Sequence, residues 1–149
     1  MTTIADEQVE SFSLDLNPTI PLAVQIRRGD YNYVDPAITV PRNFDLTVPV
    51  GHREVVLYRS LRFVYSEEVI ARMQADGCVP GTLDDALALG QQFPDCQCQN
   101  RIVFLGTAWR VADNGHLVPI LGWWPGGREF YLDWSDNGWP GEWLFAAVK

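Results

Sequence analysis

The residues best suited to recognition chemistry crowd the carboxyl-terminal third. Six tryptophans occur, and five of them (Trp123, Trp124, Trp134, Trp139 and Trp143) lie between Gly122 and Trp143 with Tyr131 among them. An indole combines a large apolar area with one N–H donor, so it suits surfaces that are half wet. Trp and Tyr are also enriched among the residues that carry interface energy. Pro125-Gly126-Gly127 and Gly138-Trp139-Pro140-Gly141 surround them. Such segments predict irregular loops on a rigid sheet, where recognition residues often sit. Trp134 and Trp143 stand in strand-like alternation and are expected in the core. Trp124 and Trp139 stand in turn-like contexts, where burial and exposure are both open. The candidate binding residues are Trp123, Trp124, Tyr131, Asp136, Asn137 and Trp139.

Other chemistries find less support. Asp133-Trp134-Ser135-Asp136-Asn137-Gly138 fits the opening of an EF-hand calcium loop. That loop needs a bidentate Glu at its twelfth position, which here is Leu144, so an Asx-type turn between strands is expected. Cys96-Gln97-Cys98 is C-x-C, and the remaining Cys78, His52 and His116 are too distant in sequence to suggest a zinc site. His116 follows Asn114-Gly115 and reads as a solvated turn residue. No G-x-S-x-G, H-E-x-x-H or phosphate-binding glycine loop occurs. The carboxylate pairs Glu67-Glu68 and Asp84-Asp85 fall at expected helix N-termini, where the helix dipole accounts for them. A non-enzymatic protein with no cofactor and no metal is therefore expected.

The elements that must position these residues follow from pattern. A chain of 149 residues with net charge −8 and 47% hydrophobic residues predicts one soluble globular domain. The acidic balance excludes general binding to a nucleic-acid backbone, and no apolar run is long enough to span a membrane. Residues 1–10 are polar and acidic, unlike a secretory signal. Residues 1–50 carry Pro18, Pro21, Pro36, Pro41 and Pro49, which predicts edge strands and turns, with Leu22 to Ile26 as a strand and Arg28-Gly29-Asp30 as a turn. That tripeptide is also the integrin-ligand motif, a match too short to carry weight. Arg53 to Tyr65 alternates, with Val55, Leu57, Leu61, Phe63 and Tyr65 on one face, and predicts a long half-buried strand. Ser66 offers an N-cap to a helix that Gly77 stops. Thr82-Leu83-Asp84-Asp85 resembles a capping box for a second helix, ended by Pro94. Ile102 to Leu105 predicts a central strand. Asp113-Asn114-Gly115 predicts a hairpin turn. Leu117 to Trp124, with Pro119 marking an edge or bulge, predicts the next strand. Phe130, Leu132 and Trp134 alternate with Glu129, Tyr131 and Asp133, and Asp136-Asn137-Gly138 turns the chain. Leu144 to Val148 is apolar on both faces and belongs inside a sheet. The fold class is α+β: two short helices and a mainly antiparallel sheet with a C-terminal β-meander.

Two resemblances add to this. Gly77-Cys78-Val79-Pro80-Gly81-Thr82-Leu83, followed by Ile102-Val103-Phe104-Leu105-Gly106-Thr107-Ala108-Trp109 and the ending Leu144-Phe145-Ala146-Ala147-Val148-Lys149, resembles a family of short uncharacterised bacterial proteins. The likeness covers roughly residues 54–149 and departs at Cys78-Val79 and Val148-Lys149; it transfers no activity and no catalytic residues. The order of elements, with Leu105-Gly106 and Trp134-Ser135-Asp136, is similar to C-type-lectin-like domains, though Ser135 stands where that fold has a calcium-ligating Asn. Together these features predict a cytoplasmic binding protein that presents its Trp/Gly-rich loops to a protein or carbohydrate partner. An acidic inhibitor of the phage or mobile-element type, occupying a basic groove, is the alternative.

Overall fold

The computed structural model describes residues 7–40, 43–44, 46–111 and 115–149. Pro41, residues 1–6 and the Asp113-Asn114 half of the expected hairpin turn lie outside them. In β1 (Glu7–Leu16), Phe12, Leu14 and Leu16 turn inward while Ser11, Ser13 and Asp15 face solvent. The chain then forms α1 (Leu22–Gly29), β2 (Tyr33–Val34), β3 (Gly51–Arg59), α2 (Ser66–Ala75), β4 (Val79–Pro80) and α3 (Leu83–Gln92). A 3-10 turn (Pro94–Gln97) leads to β5 (Ile102–Val103), β6 (Trp109–Arg110), β7 (His116–Trp124), β8 (Gly127–Trp134) and β9 (Leu144–Val148). The fold is α+β. The strands join one mixed sheet of order β1-β3-β9-β5-β7-β8-β2, with β4 against β9 and β6 against β7.

Sheet alternation divides the interior in two. Val55, Leu57, Ile102, Leu121, Phe130, Leu144, Ala146 and Val148 face α1 and α3. Val56, Tyr58, Val103, Val118, Ile120, Phe145 and Ala147 face α2 and Trp139. β9 has all five residues buried because β3 lies on one side, β4 and β5 on the other, and a helix layer over each face. Two apolar faces in a strand require that central place.

Both expected helices form with their signals. Thr82 N–H and Oγ1–H donate to Asp85 Oδ2 at 2.8 and 3.0 Å, the capping box with Asp in the Glu position. Gly77, at φ +78°, follows α2 in the left-handed conformation that glycine tolerates best. Ser66 is not the cap: it is the first helical residue, and Glu68 Oε1 accepts the Tyr65 N–H at 3.1 Å instead.

Four expectations are corrected. Leu22 to Ile26 is helical, because Leu22, Ile26 and Gly29 recur at i, i+4, i+7 and all are buried, and Pro21 presents its carbonyl to Val24 and Gln25. Of Arg28-Gly29-Asp30, expected wholly as a turn, the first two residues are the last of α1 and only Asp30, the cap at φ +54°, turns the chain. The strand expected through Tyr65 stops at Arg59. Residues 60–65 leave the sheet to run beside the 139–142 segment, with N–H···O bonds Val64–Trp139 (3.0 Å), Trp139–Val64 (2.7 Å) and Glu142–Ser60 (2.8 Å). That pairing turns Val64 and Ser60 inward and leaves Leu61, Phe63 and Tyr65 half exposed. Lastly, β7 is neither an edge nor bulged. Pro119 sits between the β5 pairing at Ile120–Leu121 and the β6 pairing at His116–Leu117. Its carbonyl faces that gap, accepting from Phe104 N–H at 3.0 Å, and in an antiparallel ladder the missing N–H would face the same side.

Candidate functional site

The β7–β8 hairpin carries Trp123, Trp124 and Tyr131, the turn after it carries Asp136 and Asn137, and the hairpin register separates these groups. Trp124 pairs with Gly127 at one end and Leu117 with Trp134 at the other. Seven residues of strand at ~3.3 Å each put about 23 Å between those ends. Trp123 and Trp124 stand at the tip, 44% and 50% exposed. Asp136, Asn137 and Trp139 stand at the far end, so the six candidates do not form one patch.

Trp139 corrects the sequence expectation outright: it is 1% exposed and belongs to the α2-side core. Its indole N–H donates to Ser66 Oγ at 2.9 Å, and Ser66 Oγ–H donates to Ser135 O at 2.7 Å. The turn-like sequence context hid a ring that nails the 135–139 loop to the start of α2. Trp134 and Trp143, expected in the core, are only partly buried. Asp136 serves the fold as well. Its Oδ2 accepts the His116 N–H at 2.7 Å, and its Oδ1 lies 3.5 Å from His116 Nδ1. These contacts, the main-chain bond foremost, hold its carboxyl below the usual range. Asn137 is exposed on the same turn.

At the tip, Trp123 and Trp124 point to opposite faces of the sheet. Trp124 shares its face with Gly122, whose missing Cβ leaves room for Tyr131 and Arg101. The Arg101 guanidinium lies 4.6 Å from the Trp124 ring and 5.1 Å from Trp143. Trp143 meets Trp139 at 5.3 Å, and Trp139 meets Phe145 at 6.3 Å. A stack thus runs from the exposed tip to the core, with a cation between two indoles, an attraction of about 0.5–1 kcal/mol per contact at exposed sites. Tyr131 lies against Arg101, and burial pushes its hydroxyl pKa up. Arg101 and Trp143 were missed as partners of this site: nothing in the spacing of a lone Arg before a short apolar strand announces it.

Trp123, on the other face, borders a small crevice formed with Gln97, Cys98, Gln99, Asn100 and Arg101. Behind it stands Arg128. Its guanidinium donates to the carbonyls of Gly90 (2.7 Å) and Pro94 (2.8 Å), to Gly29 O, and to Gln97 Oε1 (3.1 Å), and it lies 4.7 Å from the Tyr31 ring. Buried Gln97 in turn donates to Gly122 O (2.8 Å) and Glu129 O (3.0 Å). One cation therefore gathers the C-terminal ends of α1 and α3 onto the hairpin, filling carbonyls a helix leaves orphaned.

A separate cleft of about 530 Å³ opens on the α3 side of the sheet between β1, β9 and the 3-10 turn. Phe12 and Phe93, their rings 4.8 Å apart, line it with Glu10, Asp95 and Cys96. Burial pushes the Cys96 thiol up to about 12, so it stays protonated at neutral pH and is a poor nucleophile. Among the described residues, no three His, Cys, Asp or Glu side chains gather as the ligands of a metal ion would. Nor is any helix long and apolar enough to cross a membrane.

The Asp84-Asp85 pair proves more than a dipole partner. Asp84 Oδ2 accepts the Thr47 N–H at 3.1 Å, and Asp85 meets Arg53 at 3.1 Å while its Oδ1 is buried without a partner. Burial raises both carboxyls. Both groups are committed to structure.

No family model, no curated protein and no solved structure matches this chain.

Proposed function

We propose that this chain is a binding protein whose contact surface is the tip of the β7–β8 hairpin, and that the partner is a protein. One observation carries the reading: Trp123 and Trp124 stay about half exposed at the end of the most extensively paired hairpin, while Trp139 is sealed away. Ordered, exposed indoles on a rigid support lose little conformational freedom on binding, which suits them as anchors. Their opposite orientations favour a partner that clasps the tip from both faces. A single sugar chain would instead be served by rings on one plane. The carboxylates give less support to an acidic groove mimic. Asp15, Glu54, Glu68, Asp76 and Asp136 are each placed against a cationic or histidine partner, and they are dispersed over β1, β3, α2 and the last turn.

The test compares wild-type protein with the Trp123→Ala/Trp124→Ala double variant and with Trp123→Ala and Trp124→Ala singly. Each is applied as bait to extract of the source cells and to an oligosaccharide array. A protein captured by wild type and lost at least about tenfold by the double variant is expected, each single variant losing part. Capture unchanged in the double variant, or retention of oligosaccharides in place of protein, would overturn the reading.

A further inference from the structure

β1 ends the sheet, and its outer edge is already used as a strand edge. Gln92 of α3 reaches over it: Asp15 N–H donates to Gln92 Oε1 at 3.0 Å, and Gln92 Nε2–H donates to Asp15 O at 2.7 Å. One side-chain amide thus copies the pair of bonds a neighbouring strand would make. Because N–H and C=O of one residue face the same neighbour in an antiparallel ladder, alternation turns the same groups of Ser13 and Ser11 outward too. Both serines are exposed, and among the described residues nothing bonds their outward main-chain groups. The register is regular from Glu10 to Leu16, the one irregularity falling between Gln8 and Glu10.

From this we infer that the Ser11–Ser13 edge of β1 accepts an added strand, and that the strand is a basic extended segment of a partner protein. Strand addition takes its affinity from main-chain bonds and its specificity from alternate side chains. The charge decides the occupant. Glu7–Leu16 contains Glu7, Glu10 and Asp15 and no Lys or Arg. Lys149, near Glu10 and Ser11, is held by Glu54 at 3.2 Å. A second copy of β1 would bring like charges opposite one another, which opposes pairing. A segment with Lys or Arg at alternate positions meets Glu10 and Asp95 instead. Phe12 and the exposed ring of Phe93 lie on that same face beside the 530 Å³ cleft, so the aliphatic stems of those basic side chains rest on apolar surface while their charges reach Glu10 and Asp95. The site is independent of the hairpin tip.

The probe is a fluorescein-labelled peptide, Lys-Val-Lys-Val-Lys-Thr, titrated against the full chain and followed by anisotropy. Ser13→Pro removes only the outward donor, since that N–H takes no part in the ladder with β3, and proline is tolerated on edge strands. Binding is expected to weaken at least about tenfold in Ser13→Pro, to stay within about twofold in Ser13→Ala, and to weaken about two- to fivefold in Glu10→Gln. Should Ser13→Pro fail to fold, amide exchange in the wild-type chain decides: peptide must slow exchange at Ser11 and Ser13. Equal binding by Ser13→Pro, no protection of those amides, or equal binding of Glu-Val-Glu-Val-Glu-Thr overturns the inference. So does sedimentation showing a dimer that Ser13→Pro abolishes, because a second copy would then own the edge.

Discussion

At the scale of single residues, Arg128 and Asp85 carry the sharpest consequences. Arg128 satisfies carbonyls from α1, α3 and the turn after it, and each charge-assisted bond is worth about 1.5–3 kcal/mol. Arg128→Ala orphans those carbonyls and is expected to cost roughly 3–5 kcal/mol in urea unfolding. Arg128→Lys should recover little of that, since one ammonium cannot span a fork. Asp85 makes a claim about pH. Burial raises its folded pKa above the unfolded value despite Arg53, and its unpartnered Oδ1 is the natural seat for a proton. Its stabilisation is therefore complete below the unfolded pKa and is lost as pH rises through the folded one. Asp85→Asn keeps an acceptor for Thr82 and does not titrate. The unfolding midpoint of wild type relative to Asp85→Asn is expected to fall as pH rises from 4 to 7. A gap that stays constant would show that the folded carboxyl titrates as the unfolded one does. The capping role of Asp85 was legible in sequence, but the burial was not: the helix dipole alone accounted for Asp84-Asp85, and burial of that N-terminus depends on the 46–48 segment packing over it.

At the scale of elements, the legible parts were those with their own local signal. The capping box at Thr82, the glycine stop at Gly77, and the two-faced apolar run of β9 all signalled themselves locally. Elements whose signal was tertiary misled. Five residues of Leu22–Ile26 cannot distinguish period two from period 3.6, and the period extends to Gly29 only once Tyr31 is seen packing there. Leu61, Phe63 and Tyr65 resumed the β3 alternation after its one break at Arg59, where the strand in fact ends, because residues 139–142 offered a second pairing line. Trp139 was hidden the same way. Glycine tests the element contacts directly. A Cβ on Gly106 would lie 2.5 Å from Pro80 O and 2.6 Å from Gly81 O, both main-chain atoms. Gly106→Ala is expected to cost about 2 kcal/mol or more by forcing β4 away from the β5 end. Gly126→Ala meets nothing within 4 Å and should stay within about 0.5 kcal/mol, read from the same thermal or urea midpoints.

At the scale of the whole molecule, function was only partly legible. Clustering of indoles pointed to the hairpin, and Trp123 and Trp124 are indeed open, but sequence spacing could not tell that the tip and the last turn lie at opposite ends of a ladder. The strand order sets the folding kinetics. Lys149 meets Glu54 across 95 positions of chain, and the β3–β9 ladder runs beside that contact. Closing so many non-local pairs is slow, so refolding in the range of about milliseconds to seconds is expected by stopped-flow tryptophan fluorescence, with the Trp139 environment forming late. β9 also links β1-β3 to β5-β7-β8-β2, and it follows every other strand in the chain. Until β9 docks, the two half-sheets therefore have bare facing rims, β3 and β5, with nothing to unite them. Those two unpaired edges are where a half-folded chain would join its neighbours, so aggregation during refolding is expected to be set by how fast β9 finds its slot.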